Sequence, residues 1–250
     1  MSPAAESSGP LTGRTVVTTR DEPGLLDRAL ALAGATVVHV PLIVVVDPPD
    51  GGEALDGALA DLARFDWLVV TSQHGARRVA SAAAGRPAIR LGAVGTKTAD
   101  VLRSGTGREV DVVPERQTAA DLVASMPDTA SGARVLVVQA DLADAVLADG
   151  LRARGYIVQT VVGYSTQLRT PSHDERQQAL GADAVAFASG SAAMSWHAAF
   201  GSAAPPVVVA IGPTTAAAAA ASGLQVDRIA ADHSVDGLVD AVIAAFFDRP

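Results

Sequence analysis

Apolar residues in this chain come in short runs that alternate with stretches of helical spacing. Thr15–Thr19 is a first β-branched run. Leu25–Ala33 then places its apolar residues at i, i+3 and i+4, and Gly34 follows as a helix stop. Thr36–Val46 is a longer β-branched run interrupted by Pro41, and Pro48–Gly52 reads as a turn. Helical spacing returns over Leu55–Ala63. Trp67–Thr71, Ile89–Val94, Val110–Val113, Val135–Val138, Ile157–Val162, Ala184–Ala188, Val207–Ile211 and Gln225–Ile229 read as further strands, with helices between them. Short apolar strands alternating with helices predict an α/β fold whose parallel sheets are covered on both faces.

The pattern occurs twice. Leu68–Ser72 and Val185–Ser189 are apolar runs that end in a hydroxyl. Gly95 follows Ser72 by 23 positions, and Gly212 follows Ser189 by the same 23. A helix-like stretch then ends at Gly105 or Gly223, a short strand follows, and Thr118 or Ser234 opens a last helix. The repeat reaches further back, since Gly13–Arg20 resembles Gly132–Ala140 and Gly34–Leu42 resembles Gly155–Gly163. Such a repeat predicts two similar lobes, and a cleft between lobes is where ligands bind. Order alone allows two sequential domains, roughly 13–125 and 132–247, or two lobes that exchange chain at the matching segments Val40–Val46 and Val162–Thr166.

Composition narrows the function. The 250 residues fit two domains, and 49% hydrophobic content suffices for two cores. No apolar run approaches the roughly 20 residues of a membrane span. Residues 1–12 read as a disordered lead-in without the features of a signal peptide, so a cytoplasmic location is expected. The chain has no cysteine, which removes disulfides and thiolate chemistry. A net charge of −8 argues against nucleic-acid partners. The adjacent pair Arg77-Arg78 reads as a solvated helix face.

Familiar catalytic motifs are missing. Gly92–Thr98 lacks the glycines of a phosphate loop, since Thr96 and Leu91 stand where they belong. No G-x-G-x-x-G follows the first strand, the five histidines show no i, i+4 pair for a metal, and there is no G-x-S-x-G. What remains is a set of strand-to-helix turns: Thr71-Ser72, Gly95–Thr98 with Lys97, Ser189–Ser191 and Gly212–Thr215 with Thr214. Each should lie at the C-terminal edge of a parallel strand, where α/β sheets bind ligands. Each also opens a helix whose free N–H groups attract anions. Serine and threonine there also serve as ordinary helix caps.

The ordered set Val-Val-Thr-Ser (69–72), Ala-Val-Gly-x-x-Thr-Ala (93–99), Gly-Tyr-Ser-Thr (163–166), Phe-Ala-Ser-Gly-Ser (187–191) and Ala-Ile-Gly-Pro-Thr-Thr-Ala (210–216) resembles the uroporphyrinogen-III synthases. The resemblance runs from Arg14 to about Phe247. It implies exchanged lobes: residues 1–40 with 167–250, residues 47–161, and connecting strands at 41–46 and 162–166. It also implies a lyase of porphyrin biosynthesis, working as a monomer without a cofactor. The linear tetrapyrrole hydroxymethylbilane would lose its hydroxyl as water and close with its last ring inverted, through a spiro intermediate.

This substrate carries eight carboxylates, so an acidic protein needs local positive potential. Helix N-termini supply it, and Arg20, at the end of the first strand, and the single lysine, Lys97, are candidate supplements. The pyrroles provide the nucleophile, which leaves the protein to fold a flexible chain and assist departure of the hydroxyl. Tyr164 matches the family tyrosine of the second connecting strand and is the candidate donor to that hydroxyl; the bland reading is a half-buried linker aromatic. After Val135–Val138 the family often has Arg-Gly, whereas this chain has Gln139-Ala140-Asp141, which puts a carboxylate contact there in question. The rival readings are a non-catalytic sensor or binder of an anionic small molecule on the same scaffold, and a small-anion-binding protein of another family.

Overall fold

The structure, a computed structural model, describes residues 9–129 and 132–247. Packing divides the chain into two units. One comprises the chain up to Val44 and from Gln167 onward; the other is Val45–Thr166.

The first unit is built on β1 (Thr15–Thr18), α1 (Leu25–Leu32) and β2 (Thr36–His39). Its C-terminal portion is α7 (His173–Leu180), β8 (Ala184–Phe187), α8 (Gly190–Phe200), β9 (Val207–Ala210), α9 (Pro213–Ala221), β10 (Arg228–Ile229) and α10 (Val235–Phe247). The second sheet begins at β3 (Ile43–Val46). There follow α2 (Glu53–Ala60), a 3₁₀ turn (Leu62–Arg64), β4 (Trp67–Val70), α3 (Gln73–Ala84), β5 (Arg90–Ala93), α4 (Thr96–Thr106), α5 (Ala119–Ser125), β6 (Arg134–Ala140), α6 (Val146–Ala153) and β7 (Ile157–Leu168).

The two sheets have one topology. The first runs β10-β9-β8-β1-β2, and the second runs β3-β7-β6-β4-β5, with β3 added at the edge. Pairing β1 with β6, β2 with β7, β8 with β4 and β9 with β5 superposes the two orders. The ladders β1–β2, β1–β8, β8–β9, β4–β5, β4–β6 and β6–β7 are all parallel. In each sheet the winding direction reverses once, between β1 and β8 and between β6 and β4. A crevice opens at such a switch, outside the carboxyl ends of the strands.

Both sheets are covered on both faces. In β4, Leu68 and Val70 belong to one apolar cluster while Trp67 and Val69 belong to another. In β8, Ala184 and Ala186 face one cluster, Val185 and Phe187 the other. This is the period-two alternation of a sheet between two helical layers. At the N-terminal edge aspartates terminate the ladders in matching fashion. Asp183 accepts the Thr15 N–H at 2.8 Å, and Asp66 accepts the Arg134 N–H at 2.8 Å. Asp227 and Asp111 do the same for Val208 and Leu91, each at 2.7 Å.

Several sequence expectations need correction. Val110–Val113 is no strand; it makes a single bridge, Gly92 to Val112. Its counterpart shortens to Arg228–Ile229. Gly105 does not end its helix. It lies inside α4, where a Cβ would fall 2.5 Å from the Ala80 Cβ, so it serves the close crossing with α3; Gly107, at φ 68°, is the stop. The disordered lead-in is also too long. Residues 1–8 lie outside the described residues, but Leu11 is fully buried in the core and its N–H donates to the Ala33 carbonyl at 2.8 Å. One apolar residue in a polar stretch is enough to anchor it. Finally, β7 runs on to Leu168, well past Val162.

Candidate functional site

The hydroxyl turns sit where the alternation places them. In the first unit Ser189 caps α8, its Oγ accepting the Ala192 N–H at 3.2 Å and lying 3.0 Å from the Ser191 Oγ. Both serines are exposed or nearly so. Gly190 lets this turn approach α9: a Cβ there would meet Ala218 at 3.1 Å and the Thr214 carbonyl at 4.0 Å. Arg20 follows β1 at the same edge, exposed, its carbonyl accepting from His39 Nε2 at 2.8 Å. In the second unit Ser72 caps α3, accepting the Gly75 N–H at 3.1 Å, and the Thr71 N–H donates to the Val138 carbonyl at 3.3 Å across the switch. The Val94 N–H donates to the Val70 carbonyl, which sets Gly95 beside Thr71. Lys97 is exposed in the first turn of α4.

Two expectations change. Thr98 and Thr215 were expected to offer hydroxyls to a ligand, but each is only 5% exposed in the first turn of its helix. Helix periodicity turns the third residue of the turn inward, so Thr96 and Thr214 are the exposed hydroxyls, and the backbone N–H groups are the remaining donors. Gly95 and Gly212 also have a role beyond setting a turn. Both are extended, at φ −140° and −173°, conformations open to any residue. Their purpose is space. A Cβ on Gly95 would lie 2.6 Å from Gln117 Oε1, and one on Gly212 would lie 3.1 Å from the His233 ring. Gln117 also accepts the Thr96 N–H at 3.2 Å. Gln117 and His233 each directly precede the hydroxyl, Thr118 or Ser234, ahead of the next helix, α5 or α10. That shared position is a sequence signal for both residues, and the motif reading does not use it.

Tyr164 lies on β7 opposite Ala140, at the point where the β6–β7 register shifts. It is 9% exposed. Its carbonyl accepts the Asp141 N–H at 3.2 Å, so the Gln139–Asp141 segment, where this chain departs from the family pattern, lies beside the tyrosine. The His74 ring packs on it at 5.3 Å between centroids, tilted by 53°. Around them is a depression of about 510 Å³, lined by Val45 and Val46 of β3, by Asp47 just after it, by His74, Arg77 and Arg78 of α3, and by Tyr164. Arg77 is exposed, as a solvated helix face requires, whereas Arg78 is half-buried. Arg78 Nη1 pairs with the Asp47 carboxylate at 2.5 Å. A second concavity, of about 540 Å³, includes Asp66 and Arg90, which stand at the N-terminal ends of β4 and β5, the edge opposite to ligand binding.

The fold and this edge define a class: a protein of two doubly wound parallel α/β units with hydroxyl-capped turns at the carboxyl ends of the strands. The model of the family described as uroporphyrinogen-III synthase HemD matches residues 25–240, and the chain belongs to that family. A curated uroporphyrinogen-III synthase of Synechococcus elongatus is 29% identical over 180 residues, covering 68% of this chain and 67% of the relative. Among solved structures, uroporphyrinogen-III synthetase from Helicobacter pylori 26695 is similar with a TM-score of 0.65 at 16% identity, over 92% of this chain and 99% of that one. A mutant uroporphyrinogen III synthase from Thermus thermophilus is similar with a TM-score of 0.57 at 18% identity, over 94% of this chain and 99% of that one. These two structures share the fold.

Proposed function

We propose that this chain catalyses the uroporphyrinogen-III synthase reaction. It closes hydroxymethylbilane to uroporphyrinogen III, with loss of water and inversion of the last ring through a spiro intermediate. The observation that carries the reading is the family match over residues 25–240, which includes the strand-to-helix turns of both units and Tyr164. Nothing in the site favours the non-catalytic binder.

The chemistry asks little of the protein's own functional groups. The pyrroles supply the nucleophile, and the water lost is the substrate's hydroxyl plus one proton. Ser72, Ser189, Ser191 and Thr214, with the backbone N–H groups of the turns at Gly95 and Gly212, offer donors to carboxylates. Arg20 and Lys97 add exposed cations at the same edges. Thr71, Thr98 and Thr215 act through the backbone of their turns. The Tyr164 phenol donates to the departing hydroxyl, and its shielding strengthens that hydrogen bond. On this reading the protein works as a monomer in the cytoplasm, needs no cofactor and takes neither nucleic acid nor membrane as partner. Among the described residues no helix is long and apolar enough to cross a membrane.

The direct test supplies freshly generated hydroxymethylbilane in the presence of a chelator. Its consumption should exceed the spontaneous rate in proportion to protein concentration. Consumption at the spontaneous rate at every protein concentration would contradict the reading.

A further inference from the structure

We propose that Asp27 is a positioning residue that holds Arg20 where it takes a carboxylate of the tetrapyrrole. This rests on the function proposed above and adds how one of its cations is placed. Asp27 lies in the first turn of α1 and is only 8% exposed. Its Oδ1 accepts the Thr18 O–H at 2.5 Å, and its Oδ2 accepts the Gly24 N–H at 2.6 Å. Thr18 is the last residue of β1, and Gly24 directly precedes α1. One carboxylate therefore ties together both ends of the loop 19–23, which carries Arg20. Burying a carboxylate is unfavourable unless it is hydrogen-bonded. Here the two donors and the N-terminal end of α1 offset that penalty.

The start of the same loop is pinned by its backbone. The Val40 N–H donates to the Thr18 carbonyl at 2.9 Å, the Leu42 N–H to the Thr19 carbonyl at 3.2 Å, and His39 Nε2 to the Arg20 carbonyl at 2.8 Å. Three successive carbonyls are thus held, and Asp27 secures the far end. The placement matters because of the neighbouring strand. β1 and β8 are adjacent and parallel, with Val17 opposite Val185. Arg20 stands two residues after β1 and Ser189 two residues after β8, so the cation and the capping hydroxyl leave the sheet side by side. An arginine that binds a carboxylate loses rotamer freedom. A loop already fixed limits the loss to the side chain, so the tether raises affinity without touching the ligand.

The test titrates uroporphyrin III, a stable octacarboxylate tetrapyrrole, by fluorescence into the full chain. The variants are Arg20→Gln, Asp27→Ala, Asp27→Asn, Thr18→Val and the double variant of Arg20→Gln with Asp27→Ala. Arg20→Gln should weaken binding about tenfold, the size of one charge-assisted hydrogen bond. Asp27→Ala and Thr18→Val should each weaken it about threefold and speed hydrogen exchange over residues 19–24. Removing a carboxylate would by charge alone favour an anion, so a loss in Asp27→Ala reports the tether. Asp27→Asn should recover that loss, because its amide oxygen accepts from Gly24 and its NH2 group donates to the Thr18 hydroxyl. The double variant should bind no more weakly than Arg20→Gln alone. An aspartate that only caps α1 would lower stability and leave affinity alone. Parental affinity in both Asp27→Ala and Thr18→Val would overturn the proposal. So would a double variant whose losses multiply, an Arg20→Gln variant that binds like the parent, or a parent that binds no uroporphyrin III. The uroporphyrinogen isomers formed by the parent are measured alongside. Isomer I alone would count against the function, while the titrations still decide the placement of Arg20.

Discussion

The ring of His74 lies 5.3 Å from that of Tyr164, tilted by 53°. This contact joins the first turn of α3 to β7, and a glycine adjoins each of the two rings in sequence, Gly75 after His74 and Gly163 before Tyr164. A Cβ on Gly163 would come within 2.7 Å of Val138 Cγ1, and one on Gly75 within 3.0 Å of Val70 Cγ1.

Overpacking at this point should be costly. Gly163→Ala is expected to lower stability by about 1–3 kcal/mol, as other insertions into a packed core do. Val138→Ala removes the clashing methyl, so the double variant should be less destabilised than the sum of the two single changes. Urea unfolding of the four proteins measures the coupling; simple additivity would show that Val138 is not the obstacle.

Replacing Tyr164 by Phe keeps the ring against His74 and removes only the phenol. The turnover number should fall roughly 10- to 100-fold with little change in KM, at the low end of general-acid effects because water can partly substitute. Tyr164→Ala should in addition lower the melting temperature. A Phe variant with parental kcat would remove the donor role and leave the family assignment standing.

The clamp at Arg169 has a pH signature. Its guanidinium donates to both Glu175 carboxylate oxygens at 2.9 Å and to the Pro41 carbonyl at 3.0 Å. The Arg169 hydrogen bonds, and then the Ser172 N–H, hold the Glu175 carboxyl below its ordinary value of 4.5. A depressed folded value means that the contribution is complete above the unfolded value and is lost as pH falls through the folded one. The stability gap between the parent and Glu175→Gln should therefore be widest near neutrality and close below about pH 4.5. Urea midpoints across that range report it. A gap that stays constant down to about pH 3 would show that the charge is not what matters.

The aspartates at the strand edges should be worth more than their exposure suggests. Asp183→Ala leaves the Thr15 N–H without its acceptor at the start of β1, at a cost of about 1–2 kcal/mol. Asp183→Asn keeps an acceptor and should lose less. Hydrogen exchange at Thr15 reads this locally, and protection equal to the parent in the Ala variant would refute it.

Much of the fold was legible because burial on both faces leaves short continuous apolar runs, and Val207–Ala210 or Trp67–Val70 cannot be anything else between their flanking breakers. The marginal elements were less legible. Val110–Val113 has the composition of a strand, but it meets the sheet edge at one bridge only, Gly92 to Val112, and composition does not reveal the extent of pairing. Gly105 resembles a stop because the crossing of α3 and α4 cannot be seen from one helix alone. In the site, Ser72 and Ser189 were readable as caps that open turns. The inward rotation of Thr98 and Thr215 follows from helix geometry, which a motif reading ignores. His74 could not be paired with Tyr164 from sequence, because α3 and β7 lie far apart in the chain and neither segment alone shows how they pack.

The central claim is that this chain dictates which way the last ring is joined. Separation of the uroporphyrinogen isomers formed from fresh hydroxymethylbilane tests it most directly. The account predicts isomer III as the dominant product with protein present and isomer I without it. Isomer I alone, formed at the same rate with and without the protein, would contradict it.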